Sequence, residues 1–223
     1  MPAVLPPEAG ATVANGCVAG LDVGKTSWFV LGKRQGRELH VLHAERIRQT
    51  GEGHLVARVQ ELMNMYGVVK LVVDAAPDFS TALALISQNR HGRAWAAYYL
   101  RTGKRDLTNF DLNEAEQIVS IKRTQSFDDL AKKANGGRLR LPRHPETPVI
   151  IDHLTALKRV VRVNNQGESI ASWVKTGDDH YGHAIHYMTT ADALCDVKID
   201  TDVLPVLPGA SRIRMKQPAP PTK

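Results

Sequence analysis

Cys17-Val18-Ala19-Gly20-Leu21-Asp22-Val23-Gly24-Lys25-Thr26-Ser27-Trp28-Phe29-Val30-Leu31 decides how this chain folds. Residues 19–26 fit a loosened phosphate-loop spacing, with Ala19 where the first glycine normally stands and Gly24-Lys25-Thr26 at its end. Leu71-Val-Val-Asp74 would then serve as the magnesium-binding strand of a nucleotide hydrolase. A phosphate loop must lead into a helix whose N-terminus faces the phosphates. Residues 27–31 are instead β-branched and aromatic and stop at Gly32, which predicts a strand. Residues 17–23 and 27–31 are therefore two successive strands, and Asp22 closes the first.

The pattern extends outward from there. Residues 39–47 predict a third strand after the turn at 33–36. Leu55, Val56, Val59, Leu62, Met63 and Tyr66 recur at helical spacing, and residues 68–73 form a continuous apolar strand suited to the middle of a sheet. Phe79, Ala82, Leu83 and Ile86 mark another helix, and residues 94–100 and 117–121 two more strands. Ser126 and Asp129 predict a capping-box helix start, closed by Gly136-Gly137, and residues 138–141 a short strand. Thr147 before Pro148 predicts an N-cap, residues 160–174 a hairpin around 164–167, and Asp178 or Asp179 the start of a last helix to Leu194. Three strands in succession, then helix, strand, helix and strand, predict an α/β fold. Its mixed sheet combines an antiparallel meander with parallel strands and is flanked by helices. Residues 1–16 and the Pro-rich 198–223 are expected to be irregular tails around a domain spanning 17–197.

Composition excludes several classes. The 223 residues hold no run of about 18 apolar residues and no signal-peptide pattern, so no membrane partner is expected. Two cysteines, Cys17 and Cys195, make neither a disulfide framework nor a metal-ligand spacing, and point to a reducing compartment. The net charge is +6, and residues 101–162 hold thirteen Lys/Arg against eight Asp/Glu, five of those six charges. Such a segment suits a polyanion, or is simply a solvated surface.

The acids carry the chemistry. Asp22 ends one strand, Asp74 ends the buried strand after the first helix, and Asp178 and Asp179 open the last helix. The first strand and the strand after the first helix can lie side by side, which brings Asp22 and Asp74 to one sheet end. Clustered carboxylates repel one another by several kcal/mol unless a cation intervenes. Oxygen ligands without thiolates select Mg²⁺ or Mn²⁺, and two such ions suit phosphodiester cleavage. Asp22 is then the expected bridging ligand, with Asp74 on one ion and Asp179 or Asp178 on the other. Each acid also has a plainer reading: Asp22 and Asp74 as turn formers, Asp178 or Asp179 as an N-cap. His183, one turn after Asp179, is expected to orient a ligand, contact phosphate, or serve as a structural histidine. His180-Tyr-Gly-His183-Ala-Ile-His186 lacks the glutamate of a zinc-protease helix.

Gly20-Leu-Asp22-Val-Gly24, Leu71-Val-Val-Asp74 and Gly177-Asp-Asp-His180 together resemble the C-terminal nuclease domain of bacteriophage large terminase subunits. So do Ile121-Lys-Arg-Thr124, Arg138-Leu-Arg-Leu-Pro142 and a helix ending at Leu157-Lys-Arg-Val160. The resemblance spans residues 18–194 and rests on order and spacing. It implies a ribonuclease H-like fold and two-metal cleavage of concatemeric double-stranded viral DNA during genome packaging, in the host cytoplasm. Asp22, Asp74 and Asp179 are the implied acidic triad and Asp178 an extra ligand. Such proteins also carry an ATPase motor, too large for 223 residues, so the motor and other packaging proteins are expected as partners of an excised or separate nuclease. Lys104, Arg105, Lys122, Arg123, Lys132, Lys133, Arg138 and Arg140 become candidates for DNA phosphate contacts, which position a duplex without reading its sequence. Alternatives on the same fold are a transposase, a Holliday-junction resolvase, or a non-catalytic DNA-binding module.

Overall fold

Residues 17–31 form two antiparallel strands: in a computed structural model of the chain, β1 (Cys17–Asp22) pairs along its whole length with β2 (Thr26–Gln35). Between them Gly24 N–H donates to Ser27 Oγ, which itself donates to the Gly24 carbonyl, so the putting-together of the two strands uses a tight turn and no helix. The structure describes residues 16–51, 53–76, 79–89, 92–100 and 110–196. The expected tails, apart from Gly16, lie outside the described residues, as do Lys104 and Arg105.

After the first pair come β3 (Glu38–Arg48), α1 (His54–Met65), β4 (Val68–Asp74), α2 (Ser80–Gln88) and β5 (Ala94–Leu100). The second half contributes β6 (Phe110–Asn113), β7 (Ile118–Lys122), α3 (Arg123–Asn135), β8 (Leu139–Arg140) and α4 (Thr147–Thr155). β9 (Leu157–Val163), β10 (Ser169–Lys175) and α5 (His180–Leu194) follow. Eight strands make one sheet in the order β6-β7-β5-β4-β1-β2-β3-β8, and β9 and β10 form a separate hairpin. β1, β4, β5 and β7 run parallel as successive neighbours, whereas β2 is antiparallel to both β1 and β3. This is the mixed sheet predicted from the element order. No described helix is long and apolar enough to cross a membrane.

Strand alternation splits the core into two layers. Cys17, Ala19 and Leu21 of β1 join one core with α1 and α2, while Val18 joins the other with α3, α4 and α5. Gly20, on the second side, lets α5 rest directly on β1. A Cβ there would lie 2.1 Å from the Ala184 carbonyl oxygen and 2.3 Å from the Met188 nitrogen. Helix α5 is buried almost all round, with the sheet on one side and α3 and α4 on the other.

The structure corrects three expectations and adds one strand. Helix α3 begins at Arg123, three residues before the predicted capping box. Ser126 Oγ donates back to the Lys122 and Arg123 carbonyls inside the first turn, so the serine bonds within the helix rather than capping it. Thr147 does not cap α4, whose N-cap is Glu146; its hydroxyl donates to the Pro142 carbonyl and accepts from His144 N–H, tying down the incoming loop. Leu157–Val160 is not a helix end but the start of β9, where Leu157 pairs with Lys175 and Val160 with Ser172. Strand β6 was not predicted: its four residues alternate half-buried and exposed on the sheet edge, a signal too short and polar to stand out.

Candidate active site

Parity places the first two acids. β1 and β4 are parallel neighbours with Leu21 opposite Val73, so Asp22 and Asp74 end adjacent strands side by side. Val18 and Val72 belong to the α5 side of the sheet, and Asp22 and Asp74 share their parity. β1 and β4 also flank the point where the strand order reverses, with β2 and β3 to one side and β5 and β7 to the other, and open α/β sheets leave a crevice at the carboxyl ends there.

Helix α5 supplies the third acid by declining an ordinary role. Asp179 occupies the N-cap position, yet its carboxylate makes no cap hydrogen bond. The Tyr181 N–H donates instead to His153 Nδ1 at 3.1 Å. Burial, and then the neighbouring His180, hold the His153 pKa down, which keeps that nitrogen available as an acceptor. Asp179 is thus released to the crevice: it is 4% exposed, with Oδ2 3.3 Å from His183 Nε2 and Oδ1 4.0 Å from Lys175 Nζ. Burial pushes its carboxyl up, but the His183 hydrogen bond and the charges of His183, Lys175 and His180 outweigh this and hold it below the usual range. Asp178 is exposed and does not line the crevice.

The crevice measures about 600 Å³ and is walled by Asp22, Asp74, Asp179, Arg123, Lys175, His180 and His183, with Tyr99 and Trp173 among its aromatic sides. The Asp74 carboxyl is pushed up to about 6, chiefly by burial and further by the Asp22 charge, against a hydrogen bond from Ala76 N–H. His180 Nδ1 lies 2.8 Å from Asp22 Oδ2, a bond that raises the histidine pKa, and its ring stacks on Trp28. The Asp179 carboxylate accepts from His183 Nε2–H, and in the neutral ring with its proton on Nε2 the Nδ1 atom accepts from the Tyr99 hydroxyl at 2.9 Å. The Tyr99 oxygen then accepts from His186 Nδ1 at 3.0 Å. This chain of bonds fixes how Asp179 presents its oxygens, as the outer partners of metal ligands do.

The donor set fits a hard cation. Three carboxylates face one crevice with no thiolate among them, and one is held partly protonated by burial and a like charge. Among the described residues, no three His, Cys, Asp or Glu side chains stand close enough together to hold a metal ion as they are. Mg²⁺ ordinarily makes up its shell with water and substrate phosphate oxygens. A thermal measurement tests the acid cluster without any cleavage assay. The folded Asp74 pKa of about 6 lies above its ordinary 3.8. Its stabilising effect is therefore full below that ordinary value and is lost as pH rises through about 6. In EDTA at pH 7.5, Asp74→Asn is expected to be more stable than wild type by about 1–2 kcal/mol, raising Tm by roughly 3–6 °C. The gap should close towards pH 4; an equal or lower Tm of the variant at pH 7.5 counts against a repelling cluster.

The basic residues divide. Arg123 lines the crevice and Lys122 adjoins it at the end of β7. Arg138, Arg140, Lys132 and Lys133 do not come near the acids. They lie where β8 meets Leu39 and His40, and the strand register puts that end of β3 beside the start of β1, away from Asp22. There Lys132 pairs with Asp129, Lys133 with Asp192 and Arg140 with Glu38. Tyr99, Lys175, His180 and His153 were missed as site residues. The i, i+3, i+6 spacing of His180, His183 and His186 was visible in the sequence, but nothing marked Lys175 or Tyr99.

No protein-family model matches this chain, and no curated protein does. Solved structures do. The large terminase nuclease of the thermophilic phage G20c is similar with a TM-score of 0.52 at 17% identity, over 84% of this chain and 92% of that one. Its form with bound magnesium gives a TM-score of 0.53 at 16% identity, over 84% and 91%. The Thermus phage P74-26 large terminase nuclease domain gives 0.51 at 18%, over 83% and 88%. The chain therefore has the ribonuclease H-like fold of large terminase nuclease domains.

Proposed function

We propose that this chain is a metal-dependent endonuclease of the large-terminase kind, cutting concatemeric double-stranded viral DNA during genome packaging. The observation that carries the reading is the convergence of Asp22, Asp74 and Asp179 on one crevice, with Asp179 released from helix capping by His153. The magnesium-bound form of a phage nuclease sharing this fold supports it. In this reading Asp22, Asp74 and Asp179 would hold two Mg²⁺ or Mn²⁺ ions, and the exposed Asp178 would be no more than an outer contact. An ATPase motor and other packaging proteins are the expected partners, and the host cytoplasm the setting.

When bound, such ions stabilise the charge developing on the scissile phosphate and ease the loss of a proton from water. The chain's own residues do the rest. His183, set by Tyr99 and His186, fixes the Asp179 oxygens; Arg123 and Lys175 draw the phosphate backbone towards the acids. Arg123 suits that task because its guanidinium is pinned against the Tyr99 and Phe127 rings at 5.6 and 5.8 Å. Arg123→Ala is expected to weaken duplex binding to the same extent for unrelated sequences and to lower the slope of log K against log salt by about one. Fluorescence anisotropy on two duplexes across a KCl series measures this. A sequence-dependent loss, or an unchanged slope, would remove Arg123 from the phosphate path.

The function itself is tested on supercoiled plasmid, linear duplex and a four-way junction, each with Mg²⁺, Mn²⁺ or EDTA. Metal-dependent cutting of plain linear duplex is expected. A requirement for the junction would favour a resolvase, and DNA binding without cleavage in either metal would leave a non-catalytic module.

A further inference from the structure

We infer that His180 is a displaceable guard on Asp22, its imidazole holding one of the two carboxylate oxygens that Asp22 would offer to divalent cations. The inference rests on the metal-dependent reading above. In that reading both Asp22 oxygens would be offered to metal, yet Oδ2 is engaged by His180 Nδ1 at 2.8 Å. The obstruction does not depend on the charge of the ring, because a neutral imidazole protonated at Nδ1 donates the same bond.

Position makes the ring removable. The His180 side chain is 42% exposed against 11% for Asp22, so the histidine is the outer member of the pair. Its other ring contacts are a parallel stack on Trp28, with planes 5° apart and centroids 5.4 Å apart, and an edge contact with His153 at 6.2 Å. Such a ring can slide outward without disturbing the core. His183, one turn later, is built the other way: it is 14% exposed and caught between Asp179 and the Tyr99 hydroxyl. Two histidines of one helix turn thus have opposite tasks, His183 presenting Asp179 and His180 covering Asp22.

A merely orienting histidine and a guard predict opposite signs. Removing a residue that orients a metal ligand weakens metal binding by about 10–100-fold. Removing a guard tightens it. We expect His180→Ala and His180→Phe, neither of which carries a donor, both to bind Mn²⁺ about tenfold more tightly than wild type in calorimetry without DNA, since a charge-assisted hydrogen bond no longer competes. Unchanged or weaker binding in the folded variants overturns the proposal. The unmodified full chain supplies a second readout. On titration with Mg²⁺ the His180 ring resonances should move as the Asp22 bond is lost, while those of His183 keep the signature of its Tyr99 bond. His180 resonances that stay fixed while Mg²⁺ saturates the site also overturn it. If wild type takes up no Mn²⁺ and cuts no DNA, the nuclease reading itself has failed; if it binds and cuts but the His180 variants bind no more tightly, only the guard has.

Discussion

Asp22→Asn is expected to lower metal-dependent DNA cleavage by roughly 10³-fold, equivalent to about 4 kcal/mol of transition-state stabilisation. Asparagine nearly matches aspartate in shape, so β1 and its pairing with β2 and β4 should survive. What disappears is the negative charge at the junction of the two strand ends. Duplex binding should persist, because the phosphate contacts assigned to Arg123 and Lys175 are untouched. In the metal-free variant the Asp74 carboxyl should titrate lower than in wild type, since the Asp22 charge is one cause of its raised pKa. Asp178→Asn is the internal contrast: that side chain is exposed and off the crevice, and cleavage should change less than about threefold, within the range of surface substitutions. Gel assays of nicking and linearisation at fixed Mn²⁺ compare wild type, Asp22→Asn, Asp178→Asn and Asp179→Asn. Wild-type cleavage by Asp22→Asn, or a large loss in Asp178→Asn with Asp179→Asn still active, would move the metal site elsewhere.

The parts of this site visible in the sequence are those that strand alternation dictates. Asp22 and Asp74 each follow a short apolar run, and the order of elements makes those two runs neighbours; register then puts both acids at one sheet end. The helix start at Asp178-Asp179 was equally visible, but which acid faces inward depends on His153, 26 positions upstream, taking over the cap. The bonds that fix Asp179 come from Tyr99, 84 residues before His183. No local pattern encodes such partners, because they meet only once β5 and α5 pack on the same layer. Net charge is blunt for a related reason. A count of lysines and arginines is blind to Arg140 meeting Glu38 or Lys133 meeting Asp192, so several of the segment's described cations lie paired at the far end of the sheet. Helix starts were displaced where an apolar anchor such as Phe127 drew the preceding turn into the helix, against the local preference of Ser126.

Gly20→Ala is expected to be the most damaging small substitution in the core. Its Cβ would stand 2.1 Å from the Ala184 carbonyl oxygen and 2.3 Å from the Met188 nitrogen, both backbone atoms of a helix with no free side to move towards. Overpacking of this kind costs about 3 kcal/mol, which for a domain of this size lowers Tm by roughly 6–12 °C. Gly51→Ala is the matching control, because a Cβ there meets nothing within 4 Å; its Tm should stay near wild type. The consequence for the site is separable from the loss of stability. To admit a methyl group α5 must lift from β1, and Asp179 and His183 lift with it, away from Asp22 and Asp74. A shift of about 1 Å in a positioned group can cost about 10²-fold in rate. Gly20→Ala that is still folded at 15 °C should therefore bind Mn²⁺ more weakly and cut DNA more slowly than wild type at the same temperature. A variant that melts with wild type, or one that melts early yet keeps full metal affinity while folded, would mean that the spacing between α5 and β1 does not set the geometry of the three aspartates.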